Sequence, residues 1–143
     1  MRVKKNKGLA AIEMLFVLPI LLFLLGGIVE LGRIFIHYTV LNKALQNSAR
    51  SAVSETYGTE RLSAIAADDY IQEFVVYGGQ LGTDRTTILP GLKEDDISID
   101  TSDTNYVKIS ANYKYSPIFT SIPIIGGDFE ITMNASSLMR TTQ

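Results

Sequence analysis

One carboxylate stands where a carboxylate is expensive. Glu13 is the only charged residue between Leu9 and Val29, a block otherwise made almost entirely of large aliphatic, aromatic and small residues. A charge in the middle of a membrane helix costs roughly 2.5–3.5 kcal/mol, less toward an end, and a residue kept at that cost is functional by default. The surrounding spacing is Lys7-Gly8-Leu9-Ala10-Ala11-Ile12-Glu13. Were the backbone cut after Gly8, Leu9 would carry a new α-amino group, cationic at neutral pH with an ordinary pKa of about 7.7–8.0. Leu9 and Glu13 lie one helical turn apart on one face, so amine and carboxylate can pair within a helix or between neighbouring copies. Between copies the pair would set axial register. The plainer account is that Glu13, one turn from the end of the block, snorkels to the headgroups.

Few other residues offer chemistry. His37 is the single histidine, so no imidazole cluster can hold a catalytic zinc, and it is expected to face solvent or headgroups. No serine sits in a nucleophile-elbow pattern and no glycine-rich phosphate loop occurs. The absence of cysteine excludes disulfides, thiolate metal sites and a lipoprotein anchor. Glu94-Asp95-Asp96, with Asp100 and Asp103, form one dense acidic patch. Calcium takes about 6–8 oxygen ligands, but the spacing is not that of an EF-hand and Asp96–Asp100 alternates as a strand. A solvated charge run is the expectation, with calcium the alternative. The residues imply no cofactor and no enzyme.

The element that must position Glu13 is the apolar block itself. A helix over 9–29 rises about 31 Å at ~1.5 Å per residue, matching the ~30 Å hydrocarbon core of a bilayer. Arg2, Lys4, Lys5 and Lys7 precede it with no acid among them, which predicts a cytoplasmic N-terminus. Beyond the leader, nine basic residues face 15 acidic ones, and that surplus of acid argues against nucleic acid as a partner. A secretory signal peptide has a shorter apolar stretch, about 7–15 residues, and a small-x-small cleavage site, neither of which is present. An uncleaved signal anchor fits the span and the charge bias, but leaves Glu13 unexplained. Pro19 and Gly26-Gly27 are candidate bend points, or ordinary membrane-helix composition. Glu30 and Arg33, one turn apart, mark the membrane exit.

Gly8 followed by apolar residues and Glu13 resembles the type IV prepilin processing pattern. The wider stretch Gly8-Leu9-Ala10-Ala11-Ile12-Glu13-Met14-Leu15-Phe16-Val17-Leu18-Pro19, then Gly27-Ile28-Val29-Glu30-Leu31-Gly32-Arg33, is similar to the TadE-like pseudopilins of tight-adherence (Flp pilus) systems. The similarity spans roughly residues 8–50 and returns at Ala135-Ser136-Ser137-Leu138-Met139-Arg140. Met14 departs from the aromatic that usually follows the motif glutamate. The resemblance implies a basic leader over 1–8, removed after Gly8 by a prepilin peptidase, a transmembrane helix over 9–29, and a periplasmic pilin-like domain over 30–143. It implies a minor pilin of the inner membrane, with other pilins, assembly-platform proteins and lipid as partners. A TadF-like paralogue fits nearly as well. An uncleaved single-span envelope scaffold, or an enzyme tethered beyond Gly32, are the rival classes.

The remaining chain predicts an α+β domain. Leu31, Ile34, Phe35, Tyr38, Leu41, Leu45, Ser48, Ala49 and Ala52 recur at helical spacing, carrying the first helix to about Glu55 before Tyr57-Gly58. A second helix opens at Thr59-Glu60, buries Leu62, Ile65, Ala66, Tyr70 or Ile71, and Phe74, and stops at Gly78-Gly79. The period then changes to two. Ile97 and Ile99, then Val107, Ile109, Ala111, Tyr113 and Tyr115, predict a hairpin turning over 101–105. Phe129, Ile131, Met133 and Ala135 predict a third antiparallel strand, the sheet covering the helix stripe.

Overall fold

A computed structural model describes residues 7–56, 68–80, 84–102, 106–118 and 130–140. The element order is a long helix α1 (Lys7–Thr56), a short helix α2 (Asp68–Tyr77), a 3-10 turn (Glu94–Asp96), and strands β1 (Ile97–Asp100), β2 (Tyr106–Tyr115) and β3 (Ile131–Arg140). The chain divides into two compact units, Met1–Ile34 and Phe35–Gln143, and α1 runs through the boundary. The fold is α+β, with one helix long and apolar enough to cross a membrane.

In the first unit nothing is packed. Every large apolar side chain from Leu9 to Leu31 is exposed, between 41% at Val17 and 71% at Leu15. Such a stripe on all sides of a helix is what a low-dielectric surround tolerates and water does not. The helix continues through Pro19, whose missing N–H leaves the Leu15 carbonyl without its usual donor.

The second unit is built on the sheet. Its order is β1-β2-β3, antiparallel throughout, with Ile97 opposite Ala111, Ile99 opposite Ile109, and Ala111 opposite Ala135. Strict alternation makes this possible: Val107, Ile109, Ala111, Tyr113 and Tyr115 all point to the buried face, and Met133 and Ala135 join them from β3. Leu41, Leu45, Ser48, Ala49 and Ala52 of α1 are buried as the periodicity required. The Ser48 hydroxyl, buried among them, donates to the Leu45 carbonyl at 3.2 Å and so carries no unmet hydrogen bond.

Three members of the expected α1 stripe lie elsewhere. Leu31, Phe35 and Tyr38 are exposed, and His37 takes the inward position. Its ring meets Tyr115 edge-on at 5.1 Å between centroids and Tyr113 at 6.1 Å, so the histidine packs on the sheet instead of facing solvent. The reason is that a helix apolar on every side carries no phase information, and the phase is set only where the polar residues begin.

Helix α2 is held by Ile71, Val75 and Val76, all buried, while Tyr70 is exposed and Phe74 half-buried. Asp69 lies on the wet side. The helix ends at Tyr77 because Gly78 and Gly79 take positive φ of 65° and 76°, which L-residues with a Cβ adopt reluctantly. The Gln72 amide donates to the Ile97 carbonyl at 3.1 Å and ties α2 to β1. Leu89 and Leu92, buried in the connection to β1, complete the core. The expected helix start at Thr59-Glu60, the residues Leu62, Ile65 and Ala66, the turn over 103–105, and Phe129 lie outside the described residues.

Candidate functional site in the N-terminal helix

Gly8 and Leu9 occupy the first turn of α1, and Glu13 follows one turn later. All three are exposed. Among the described residues no cation pairs with Glu13, so its carboxylate is presented outward from the helix. Helix geometry stacks positions 9 and 13 on one face.

Nothing inside the fold asks for glycine at position 8. A Cβ built there meets no atom within 4 Å, and Gly8 is not among the residues with positive φ. Glycine in a helix costs about 0.8–1.0 kcal/mol relative to alanine, so its presence is not explained by the helix that contains it. The same open space surrounds Gly27. Gly26, half-buried, precedes it in the helix, and Pro19 lies two turns earlier. Glu30 and Arg33 both belong to α1 and are half-buried.

A second polar centre lies in the globular unit, and sequence patterning gave little sign of it. The Tyr113 hydroxyl donates to the Pro90 carbonyl at 2.8 Å and lies 3.4 Å from Nδ1 of His37. A phenol has one proton, already committed to Pro90, so the contact with His37 is a hydrogen bond when Nδ1–H is the donor. The arrangement ties α1, the turn at Pro90 and β2 together. It holds neither a nucleophile nor a metal.

The acidic patch does not assemble as a ligand sphere. Asp96 turns back to accept from the Lys93 backbone N–H at 3.0 Å, closing the 3-10 turn. Asp100 accepts from the backbone N–H of Ser102 at 3.0 Å and from its hydroxyl. Those two bonds, hydroxyl first, hold the Asp100 carboxyl below its ordinary value, with Lys108 adding a smaller pull. Glu94 and Asp95 are exposed, and Asp103 lies outside the described residues. Among the described residues no group of three or more histidines, cysteines or carboxylates is placed to hold a metal ion.

A single family matches in comparison with known proteins. Residues 8–50 match the family of TadE-like proteins, from the glycine of the candidate processing site to Arg50 in the outer part of α1. Over that segment, less than a third of the 143 residues, the chain is TadE-like. The similarity read at 135–140 lies beyond the match. No curated protein and no solved structure matches the chain.

Proposed function

We propose that this chain is a minor pilin, or pseudopilin, of a Tad (Flp) type IV pilus assembly system, supporting pilus assembly and surface adherence. The observation that carries the reading is the family match, which opens at Gly8, the glycine that the helix itself does not need. A prepilin peptidase facing the cytoplasm cuts after Gly8 and frees Leu9. The chain is the substrate of that reaction and has no catalytic role of its own. The helix over 9–29 anchors the protein in the inner membrane, and residues 30–143 form the periplasmic part. Glu13 pairs with the α-amine of Leu9 on its own or a neighbouring helix, and its outward presentation suits that role. Pro19 and Gly26-Gly27 supply compliant points as the helix passes from lipid to protein neighbours, with Glu30 and Arg33 at the exit. The partners are the peptidase, other pilins, the assembly platform and lipid.

The test is the mature N-terminus, measured by intact mass and sequencing on protein recovered from bacterial membranes with and without prepilin peptidase. A start at Leu9 that disappears without the peptidase supports the reading. A start at Met1 in both strains overturns it and leaves an uncleaved single-span scaffold.

A further inference from the structure

The globular unit begins with large apolar residues that it does not bury. Phe35 is 69% exposed, Ile36 62% and Tyr38 45%, all within one turn of α1. Immediately afterward the exposed positions turn polar, at Thr39, Lys43 and Gln46. We propose that Phe35, Ile36 and Tyr38 form a collar seated in the phospholipid headgroup layer, so that the lipid-contacting part of the chain extends beyond Val29 to Tyr38. The proposal rests on the reading of the preceding helix as a membrane span.

Four observations select phospholipid as the occupant. The collar follows the apolar block directly in the chain, with every large apolar side chain from Leu9 to Leu31 exposed before it. A helix from Leu9 to Tyr38 rises about 44 Å at ~1.5 Å per residue, the ~40–45 Å thickness of a bilayer with its headgroups. The bordering polar side chains satisfy themselves on the helix: the Thr39 hydroxyl donates to the Phe35 carbonyl at 2.8 Å, and the Asn42 amide to the Tyr38 carbonyl at 2.9 Å. Water would satisfy those groups without help, whereas a poorly hydrating surround requires such internal bonds. Residue type agrees as well. Tyrosine, with an apolar ring and a wet hydroxyl, is enriched at membrane interfaces, and the exposed Lys43 one turn on is placed to reach phosphate. A second helix would be a poorer fit, because helix–helix contacts in membranes favour small residues and the collar offers three bulky ones.

The chain contains no tryptophan, so single tryptophans report locally. Full-length Phe35→Trp, Ile36→Trp, Phe23→Trp and Gln46→Trp proteins are reconstituted into phosphatidylethanolamine/phosphatidylglycerol vesicles. Nitroxide is placed on headgroups, shallow acyl carbons or deep acyl carbons, and tyrosine near-UV dichroism confirms that each variant folds. The expected result is strong quenching of Phe35→Trp and Ile36→Trp by headgroup and shallow labels, with blue-shifted emission. Phe23→Trp should answer to the deep label and Gln46→Trp only to aqueous iodide. Deep quenching of Phe23→Trp with no lipid quenching at 35 or 36 overturns the collar alone: iodide access there means water, and shielding from iodide means a protein partner or second copy. Loss of lipid quenching at Phe23→Trp as well overturns the membrane-span reading and the collar together.

Discussion

Leu21 and Leu45 are the same residue on the same helix, and the structure gives them opposite surroundings. Leu45 is 0% exposed and Leu21 is 54% exposed. Truncating a fully buried leucine to alanine costs about 2–5 kcal/mol, the lost transfer energy plus the cavity left behind. Against a total stability of roughly 5–15 kcal/mol for a domain, that is a large fraction. A domain of this size loses roughly 4–8 °C of Tm per kcal/mol, so Leu45→Ala should lower the melting temperature by about 10 °C or more. Leu21→Ala removes no packing from the globular unit and should leave that transition in place. Its effect belongs to membrane insertion, where a leucine contributes only about 0.3–0.6 kcal/mol. The assay is thermal melting of the full chain in detergent micelles, followed by near-UV dichroism of tyrosines. Tyr113 and Tyr115 lie in the core, so that signal reports the packing Leu45 supports. A Leu45→Ala melt within a degree or two of the parent, or a Leu21→Ala melt depressed equally, would refute the division of α1 into an unpacked and a packed part.

Three further outcomes follow from particular contacts. Arg85 hydrogen-bonds Glu73 at 2.8 Å, and this bond, with the guanidinium charge, holds the Glu73 carboxyl below its ordinary 4.5. A depressed acid stabilises above its unfolded pKa and loses that contribution as pH falls through the folded value. The stability difference between parent and Arg85→Gln should therefore narrow below about pH 4.5. Carbon-13 titration of Glu73 should show its midpoint rising in Arg85→Gln, and an unmoved midpoint would sink the assignment. Tyr113→Phe keeps the ring but loses the bond to Pro90, and should cost about 0.5–1.5 kcal/mol in the same melting assay. Gly79→Ala places a Cβ 2.8 Å from the Phe74 ring at a φ of +76°, and should cost more than about 1 kcal/mol. Gly8→Leu meets no neighbour and should melt like the parent, while blocking removal of the leader in cells.

Where the chain alternates strictly, its fold is legible. The odd-numbered run from Val107 to Tyr115 has one reading as a half-buried strand, and the register to β1 and β3 follows from matching buried faces. The stop at Gly78-Gly79 is equally plain, since both glycines adopt the left-handed conformation. The face of α1 between Leu31 and Tyr38 was not legible, because polar residues set the phase of an amphipathic helix and this stretch has too few of them. His37 was assigned to the wet side by residue type, yet aromatic rings from β2 supply the partners that let it lie inward. The 3-10 turn at Glu94–Asp96 escaped because it is a single turn closed by a local bond from Lys93 to Asp96, which leaves no periodic trace. Of the candidate site, the residues could be read but their role could not. Gly8 and Glu13 act, if they act as proposed, on molecules other than this chain.

That last point bears on how α1 is built. Its outer part is stabilised by contacts the chain supplies itself: Leu41, Leu45, Ala49 and Ala52 are buried within the globular unit. Its inner part, Leu9 to Leu31, takes no such stabilisation from within and must obtain it from a surround. A surround supplied from outside can be exchanged. Moving the inner part from lipid to a bed of neighbouring helices replaces one set of apolar contacts by another without disturbing a side chain in the sheet. Glu13 is the exception that gives the exchange a direction. In lipid it is a charge that must snorkel or be neutralised, whereas beside the freed amine of a processed neighbour it gains a charge-assisted hydrogen bond. Processing at Gly8 would thus do more than remove a basic leader: it would create the partner that makes protein a better solvent than lipid for this helix.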